Sequence, residues 1–278
     1  ARDGGYILTE AGFGSDMGLE RFIDLKCAVS GMRPSIAVVV VTIRALKAHS
    51  GRHRLVSGKD LPEEMLQENV EDVRAGAANL LKHLQIVRGF GITPVVAINV
   101  FPTDHDSEIE EVTRIAHDAG ARVAACHPVT RGGEGCLDLA GTVVEACWEA
   151  GEAVCPRPVY ESQDDLRTKI AKLAELYGAD GVDYTPAASR RLDDYERSGF
   201  GNLPVIVAKT PLSLSAEPGL KGVPTGWRLP VREVRLAAGA GYVYAICGSL
   251  STMPGLSSHP AAERIDVDLD TGQIMGLR

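Results

Sequence analysis

The sequence is poor in aromatic side chains and contains none of the common glycine-rich phosphate motifs. Aromatic residues make up 5% of its 278 residues. The pattern Gly-x-x-x-x-Gly-Lys-[Ser/Thr] is absent, and Gly58-Lys59-Asp60 has neither the spacing nor the hydroxyl that it requires. This chain therefore lacks the backbone cradle that grips the phosphates of ATP. The Gly-x-Gly-x-x-Gly fingerprint and the Gly-x-Ser-x-Gly elbow are absent too, which argues against a dinucleotide site and a serine nucleophile.

Metal-binding cysteine pairs and long apolar runs are also lacking. None of the six cysteines belongs to a Cys-x-x-Cys pair, and no histidine pair stands beside cysteines with metal-ligand spacing. We therefore expect reduced thiols in a cytoplasmic protein rather than a zinc site or structural disulfides. The longest apolar run, Ile36 to Ile43, is too short to cross a bilayer, and no signal peptide is visible.

Acidic residues outnumber basic ones by 37 to 29, which gives a net charge of −8. This balance argues against a general nucleic-acid partner and against a membrane surface of anionic lipid, because both attract excess positive charge. Local clusters of Arg and Lys remain able to bind a small anion. We therefore expect small-molecule substrates, no nucleic acid and no membrane.

Apolar runs typical of strands alternate with helical patterns along the chain. The predicted strands are Tyr6–Thr9, Ile36–Ile43, Val95–Val100, Arg122–Cys126, Gly181–Tyr184 and Leu203–Ala208. The helical pattern is clearest between Val70 and Val87, where apolar residues recur at steps of three and four. A capping-box pattern, Ser107-x-x-Glu110, predicts the start of the next helix. Strands separated by helices indicate an α/β fold with a mainly parallel sheet and flanking helices.

The stretch Gly151–Pro158, which contains two prolines, is the best candidate for a linker. We therefore expect two α/β units, residues 1–155 and residues 156–278. In the second unit, Glu233–Leu250 alternates and is rich in glycine, and a turn at Ser251–Gly255 leads into a polar, hairpin-like tail.

Loops at four predicted strand ends of the first unit carry charged, amide or small residues. They hold Glu10 and Asp16; Arg44 and Lys47; Asn99, Phe101 and Asp104; and Thr130, Arg131, Gly132 and Gly133. Because ligands bind at the carboxyl ends of strands in open α/β sheets, this mixture suits a phosphorylated or carboxylated ligand with a divalent metal. Glu10 or Asp16 alternatively caps the helix that starts near Met17. Arg44 and Lys47 alternatively form a solvated face.

The loop after the third predicted strand is the most informative of these. Asn99 stands two residues before the ring of Phe101, and Asp104 follows, an arrangement that can hold a heterocycle by its edge and its face. A buried ring beside a turn closed by Asp104 explains the same residues equally well. Lys209 and Thr210 follow another predicted strand, but a single lysine at a strand end is as often a surface charge.

Several segments, in the same order along the whole chain, resemble formate–tetrahydrofolate ligases. The central one is Tyr6-Ile-Leu-Thr-Glu-Ala-Gly-Phe-Gly-Ser-Asp-Met-Gly18. The others are Asp24–Cys27, Val41–Lys47, Ala97–Asp104, Tyr177–Val182, Gly201–Pro204, Ala208–Thr210, Val231–Val234 and Thr252–Leu256. The resemblance implies that the first unit is part of a P-loop NTPase-like domain.

The resemblance also implies a reaction, the ATP-dependent formylation of tetrahydrofolate at N10. ATP first phosphorylates formate, and the folate amine then attacks the formyl phosphate. Such chemistry needs anion clamps and Mg²⁺ for phosphoryl transfer, together with an aromatic surface for the pterin. A monovalent cation is a further cofactor that the resemblance allows.

The resemblance assigns roles to residues of this chain. The predicted pterin and nucleotide contacts are Asn99, Phe101, Pro102, Asp104, Val129 and Thr130. Phe101 and Pro102 match the family's pterin-stacking loop, whereas Val129 stands where family members commonly carry a tryptophan. The predicted electrostatic residues near phosphate and metal are Glu10, Asp16 and Arg44.

Family members are longer than this chain, and their phosphate loop lies in a preceding half. We therefore expect a carboxy-terminal half of such a ligase, which acts only with the other half and belongs to an oligomer. The sheet edges of the carboxy-terminal half would be apolar, and the preceding half would cover them. The alternative hypothesis, favoured by Val129 and the missing phosphate loop, is a non-catalytic ligase-like module that binds folate or a nucleotide.

Overall fold

The computed structural model describes residues 5–53, 55, 61–151, 155–248 and 260–276. In these residues, helices alternate with strands, and most neighbouring strands are parallel. The predicted α/β class is confirmed. None of the helices in the described part combines the length and the apolar character needed to cross a bilayer.

The first sheet consists of three parallel strands in the order β1–β2–β3. They are β1 (Ile36–Val41), β2 (Thr93–Asn99) and β3 (Arg122–Cys126). The central strand β2 is buried from Pro94 to Ile98, which explains why its sequence is continuously apolar rather than alternating.

Helices precede, connect and follow these strands, and the three longest of them pack on the sheet. They are α1 (Ala28–Ser30), α2 (Ile43–His49), α3 (Val70–Gly89), α4 (Asp106–Asp118), α5 (Pro128–Arg131) and α6 (Leu137–Ala150). The predicted periodicity of α3 is confirmed, because Val73, Leu80 and Leu84 are buried in one core with residues of β1 and β2.

The start of α4 differs from the prediction. The helix begins at Asp106, and the carboxylate of Glu108 accepts a hydrogen bond of 3.3 Å from the amide of His105. The predicted box of Ser107 and Glu110 is therefore wrong by two residues. Glu108 is available for this role because its side chain is buried beside the chain that enters the helix.

The predicted strand at Tyr6–Thr9 is wrong. Ile7 and Leu8 are 76% and 84% exposed, and the segment pairs with no strand in the described part of the chain. Without a partner, its backbone makes none of the ladder hydrogen bonds that define a strand.

A helical segment with wide, π-type turns follows, at Ser15–Leu19 and Phe22–Cys27. Its apolar side chains form a separate small core with the last turns of α3 and with Leu214. This segment therefore lies between the first sheet and residues that come much later in the chain.

The second sheet is mixed and has the order β4–β6–β7–β5. Its strands are β4 (Val182–Tyr184), β5 (Val205–Ala208), β6 (Leu229–Ala237) and β7 (Tyr242–Cys247). The alternating pattern predicted near its end is confirmed, since β6 and β7 form an antiparallel pair. The remaining pairs, β4 with β6 and β5 with β7, are parallel.

The helices α7 (Leu166–Tyr177) and α8 (Pro186–Arg197) pack on the second sheet and share its core. A short antiparallel pair, β8 (Asp266–Val267) and β9 (Ile274–Met275), confirms the hairpin-like tail. The predicted turn at Ser251–Gly255 and the middle of the predicted linker lie outside the described residues.

Candidate functional site

The carboxyl ends of β1 and β2 bring Arg44 and Phe101 together. Val41 and Ile98 are partners in the parallel register, so the two loops that follow leave the sheet side by side. The hydroxyl of Thr42 caps α2 by accepting a backbone hydrogen bond from its first turn. Arg44 therefore lies in that first turn, and its guanidinium carbon is 3.7 Å from the centre of the Phe101 ring. One face of the ring is thus covered by a cation.

The loop that carries Phe101 is held in shape by Asp104. The amide of Phe101 donates to Asp104 Oδ2 at 2.9 Å, and the amide of Asp104 donates to the Phe101 carbonyl at 3.0 Å. Burial raises the pKa of Asp104, while the Phe101 amide and Arg44 act in the opposite direction. Arg44 also reaches the Thr103 hydroxyl at 3.4 Å, so it contacts two residues of the same loop.

Two buried polar atoms at this place have no hydrogen-bond partner within the described residues. They are Oδ1 of Asn99, an acceptor, and Nε of Arg44, a donor. Buried polar atoms in folded proteins are nearly always bonded, so these two unpaired atoms at the ends of neighbouring strands indicate a place for a polar ligand. Phe101 is half-buried and Pro102 is exposed, which leaves the loop open to such a ligand.

Val129 and Thr130 lie in the short helix α5, directly after β3. Since Asn99 and Cys126 are partners in the register of β2 and β3, this helix starts at the same edge of the sheet as the Phe101 loop. Val129 is 57% exposed, and Thr130 is exposed as well. A cavity of about 480 Å³ lies between β3, the end of α5 and the start of α6, and neither Val129 nor Thr130 lines it.

The other two predicted electrostatic residues lie elsewhere. Glu10 is exposed, whereas Asp16 is buried and pairs with Lys209 at 2.5 Å. The predicted cap by Asp16 is wrong, because Gly14 precedes the helix and no side chain caps it. The interpretation of Lys209 as a surface charge is also wrong: it is fully buried and donates a second hydrogen bond to the Ser213 carbonyl at 2.7 Å.

Lys47 is not part of a solvated face. Its ammonium is buried and pairs with Glu108 at 2.5 Å, and it donates to the carbonyl of Gln67 at 2.6 Å. Glu108 also accepts a hydrogen bond of 2.7 Å from the amide of Asn69. This buried group fixes the chain before α3 against the start of α4, next to the Phe101 loop.

A buried group of acids and a tyrosine escaped the sequence-based predictions. Both carboxylate oxygens of Glu20, one of Asp24 and the hydroxyl of Tyr177 have no partner in the described part of the chain. Burial and the nearby Asp24 raise the pKa of Glu20 well above its usual range, and burial raises the pKa of Asp24 to about 7. The signal in the sequence is that Asp16, Glu20 and Asp24 follow one another at intervals of four residues, which places all three on one helical face.

The described residues contain no group of three or more His, Cys, Asp or Glu side chains arranged to hold a metal ion. We assign no metal ligand here and derive no chemical step through a metal.

The sequence of the chain is similar to the sequences of known proteins. The family model described as formate–tetrahydrofolate ligase matches residues 1–278. A formate–tetrahydrofolate ligase of Cutibacterium acnes is 57% identical over 275 residues, which cover 99% of this chain and 48% of that protein. One from Saccharopolyspora erythraea is 59% identical over 273 residues, or 98% of this chain and 48% of that protein. The chain thus spans about half the length of the curated relatives that it matches.

Proposed function

The chain belongs to the formate–tetrahydrofolate ligase family, and from this premise we propose that it supplies the folate side of an ATP-dependent ligase. The reaction would convert formate, ATP and tetrahydrofolate into 10-formyltetrahydrofolate. The observation that carries the assignment to this chain is the pairing of Arg44 with Phe101 beside two unpaired polar atoms at the ends of β1 and β2.

The chemistry divides between two sites. Transfer of the γ-phosphoryl group of ATP to formate gives formyl phosphate, and N10 of the folate then attacks its carbonyl carbon. A C–N bond forms, the C–O bond to phosphate breaks, and N10 loses its proton. The contribution that we propose for this chain is to hold the pterin so that N10 reaches that carbon.

The Phe101 ring is the proposed floor of the pterin site. Because Arg44 covers one face, the pterin would stack on the other. The contact with the guanidinium also restricts the motion of the ring, so the ring loses less conformational entropy when the ligand binds. Asn99 Oδ1 would accept a hydrogen bond from an N–H at the edge of the pterin. Of the three electrostatic residues, the proposal uses Arg44 alone, because Asp16 is neutralised by Lys209 and Glu10 is exposed.

ATP binding, formate activation and any bound Mg²⁺ or monovalent cation are assigned to a further half that carries the phosphate loop. Support comes from β1, which lies at one edge of the first sheet in the described structure. Two of its side chains, Val38 and Val40, are 41% and 65% exposed. Ile7 and Leu8 are exposed as well. A second segment of the same domain would cover such exposed apolar side chains at the edge of the sheet.

The proposal also includes a division into domains. Residues 1–155 would complete a P-loop NTPase-like domain with the other half, and residues 156–278 would form a second α/β domain. Separate cores for the two sheets support this division. The assembled enzyme would be a cytoplasmic oligomer. Because the relatives described above are named as ligases, they favour an enzyme over a non-catalytic module.

The test uses a chimera in which this chain replaces the matching 275 residues of the Cutibacterium acnes relative. Formation of 10-formyltetrahydrofolate is measured with and without the substitution Phe101→Ala. We expect the KM for tetrahydrofolate to rise roughly ten-fold or more, as the loss of one ring–base stack would cause. The KM for ATP should stay the same.

The matched control is Trp148→Ala, which removes an exposed ring from α6, away from the carboxyl end of the sheet. It should leave the KM for tetrahydrofolate unchanged. An unchanged KM in Phe101→Ala would refute the stacking assignment. A chimera that folds and binds folate but forms no product would instead favour the non-catalytic module.

A further inference from the structure

Two cysteines face each other across the base of the loop that follows β3. Cys126 is the last residue of β3, and Cys136 ends a short helical turn, Glu134–Cys136. The amide of His127 donates a hydrogen bond of 2.9 Å to the carbonyl of Gly135. Cys126 and Cys136 flank this bond, one on each of the two segments that it joins.

The two chain segments approach very closely at this point. A Cβ atom on Gly135 would lie only 2.6 Å from the carbonyl oxygen of His127, so only glycine fits there. The hydrogen bond between His127 and Gly135 and this close approach hold the neighbouring residues Cys126 and Cys136 near each other, as a disulfide requires.

The two thiols differ in their surroundings. Cys126 is buried, and its Sγ donates to the Ile98 carbonyl at 3.3 Å. Cys136 is half-buried, and its Sγ lies 3.6 Å from the Gly132 carbonyl. Burial raises the pKa of the Cys126 thiol, and a hydrogen bond with the Cys136 thiol acts in the same direction. The Cys136 thiol is thus near enough to influence the Cys126 thiol while both are reduced.

A small oxidant would meet this pair at Cys136, which is only half-buried, whereas Cys126 is buried. The cavity of about 480 Å³ is lined by His127, Arg131, Glu134 and Gly135, which belong to the loop that the two cysteines close. Cys136 is the more accessible thiol, and exposure is one of the properties that make a thiol susceptible to peroxides.

We propose that Cys126 and Cys136 form a reversible disulfide when the chain meets a hydroperoxide. The Cys136 sulfur attacks the peroxide: an S–O bond forms and the O–O bond breaks, which gives a sulfenic acid. The other peroxide oxygen leaves with the thiol proton, as water from hydrogen peroxide or as an alcohol from an organic hydroperoxide. The Cys126 sulfur then attacks that sulfur. The S–S bond forms, the S–O bond breaks, and the hydroxyl leaves as water with the proton of the Cys126 thiol. A dithiol restores both cysteines by exchange.

The disulfide would fix the loop that carries α5. Gly132 has φ +55° and ψ −141°, a conformation that only glycine adopts readily, so the reduced loop turns at a residue with wide conformational freedom. Closing the base of the loop removes much of this freedom for Val129 and Thr130. The inference concerns the thiols and does not depend on the assignment of the folate site.

The experiment treats the chain with hydrogen peroxide, blocks the remaining thiols and digests it with trypsin and a glutamate-specific protease. Trypsin cleaves after Arg131, between the two cysteines, and the second enzyme separates Cys136 from Cys147 and Cys155. We expect a cross-link between the peptides Val123–Arg131 and Gly135–Glu145, lighter than their sum by two hydrogen atoms. The thiol content should fall by two per chain and recover with dithiothreitol.

Cys136→Ser should abolish the cross-link, and because this side chain is only half-buried, the variant should fold. Cys155→Ser, which removes an exposed thiol, should leave the cross-link intact. The proposal would be overturned if Cys136 is linked to Cys147 or Cys155 instead. It would also be overturned if Cys136 is oxidised to a sulfinic acid without any cross-link, or stays reduced under peroxide that oxidises Cys155.

Discussion

Arg44 shows how one side chain can prepare a binding surface without contacting the reacting atoms. Its guanidinium lies against one face of the Phe101 ring, while its Nε remains unpaired in the described structure. We expect Arg44→Ala to weaken tetrahydrofolate binding by about 3- to 30-fold, because a cation–π contact is worth about 0.5–2 kcal/mol. Isothermal titration of the chimera measures this change.

The control for this prediction is Arg88→Ala, which removes an exposed arginine at the end of α3 that bonds to the Ala119 carbonyl. It should leave folate affinity unchanged. Equal affinities for Arg44→Ala and the parent chimera would show that the ring needs no support from the guanidinium.

Asp24 makes the stability of the fold sensitive to pH. Burial raises its pKa from 3.8 to about 7, so the folded chain binds this proton more tightly than the unfolded chain. Stability is therefore highest when both states are protonated and falls as the pH rises from about 4 to about 7, by on the order of 4 kcal/mol at most. Asp24→Asn keeps the acceptor for the Val159 amide and removes the titration.

Urea unfolding at several pH values tests this prediction. Relative to Asp24→Asn, the parent chain should lose stability across that range, whereas Asp118→Asn, at an exposed helix end, should follow the parent. Parallel curves for the parent and Asp24→Asn would show that Asp24 titrates normally.

At the residue scale, the sequence indicates which side chains meet at a strand end but not how they pair. Asn99, Phe101 and Arg44 were predicted from their positions after strands, and the register of β1 and β2 explains why they meet. The partner of Asp16 was not predictable, because Lys209 is 193 residues away and no local pattern connects them.

At the level of elements, α2 and α3 pack together, and their backbones approach very closely at one glycine of α3. A Cβ atom on Gly76 would lie 1.8 Å from the carbonyl oxygen of Leu46, so the two helix backbones are in contact there. Gly76→Ala should therefore destabilise the fold by roughly 3 kcal/mol, although alanine is the better helix former.

Gly141 provides the matched control, since it also lies inside a helix, α6, but has nothing near its would-be Cβ. Gly141→Ala should stabilise the fold by about 0.5–1 kcal/mol. The two substitutions should thus shift the urea midpoint in opposite directions. A Gly76→Ala variant as stable as the parent would mean that α2 can move away at little cost.

Periodic patterns identify the elements well when tertiary contacts agree with them. The long helix α3 was predicted from its apolar repeat, which matches the face that it buries. The segment Tyr6–Thr9 has the composition of a strand but lacks a neighbour, and a strand depends on another chain segment for its hydrogen bonds. The cap of α4 shifted because Glu108, rather than Glu110, points to the buried Lys47.

At the scale of the whole molecule, the ion pair of Asp16 and Lys209 ties the amino-terminal helical segment to the end of β5. Both side chains are buried, so removing one partner leaves a charge without compensation. Asp16→Asn should cost about 3–5 kcal/mol. The double variant Asp16→Asn/Lys209→Met should recover much of this loss.

A double-mutant cycle by urea unfolding measures the coupling between the two residues. Its control is the exposed pair of Arg197 and Asp194, whose coupling should not exceed about 1 kcal/mol. Additive effects of Asp16→Asn and Lys209→Met would contradict the prediction that the pair stabilises the packing of the two regions.

The class of the fold was predictable from the alternation of strands and helices, because parallel strands need crossover helices. The strand order β4–β6–β7–β5 was not, since it depends on contacts between distant segments. The parallel pairing of β5 with β7 is an example, because β6 lies between these two strands along the chain.

The open edge of β1 has a consequence for the chain in solution. An edge strand rich in valine, which pairs only with β2 among the described residues and exposes Val38 and Val40, is a template on which identical chains add strands and grow into aggregates. Slow parallel pairing lengthens the time for which such an edge stays uncovered during folding. Solubility of the isolated chain should therefore fall steeply with concentration, and a lysine in place of Val40 should act as a gatekeeper that raises the soluble yield.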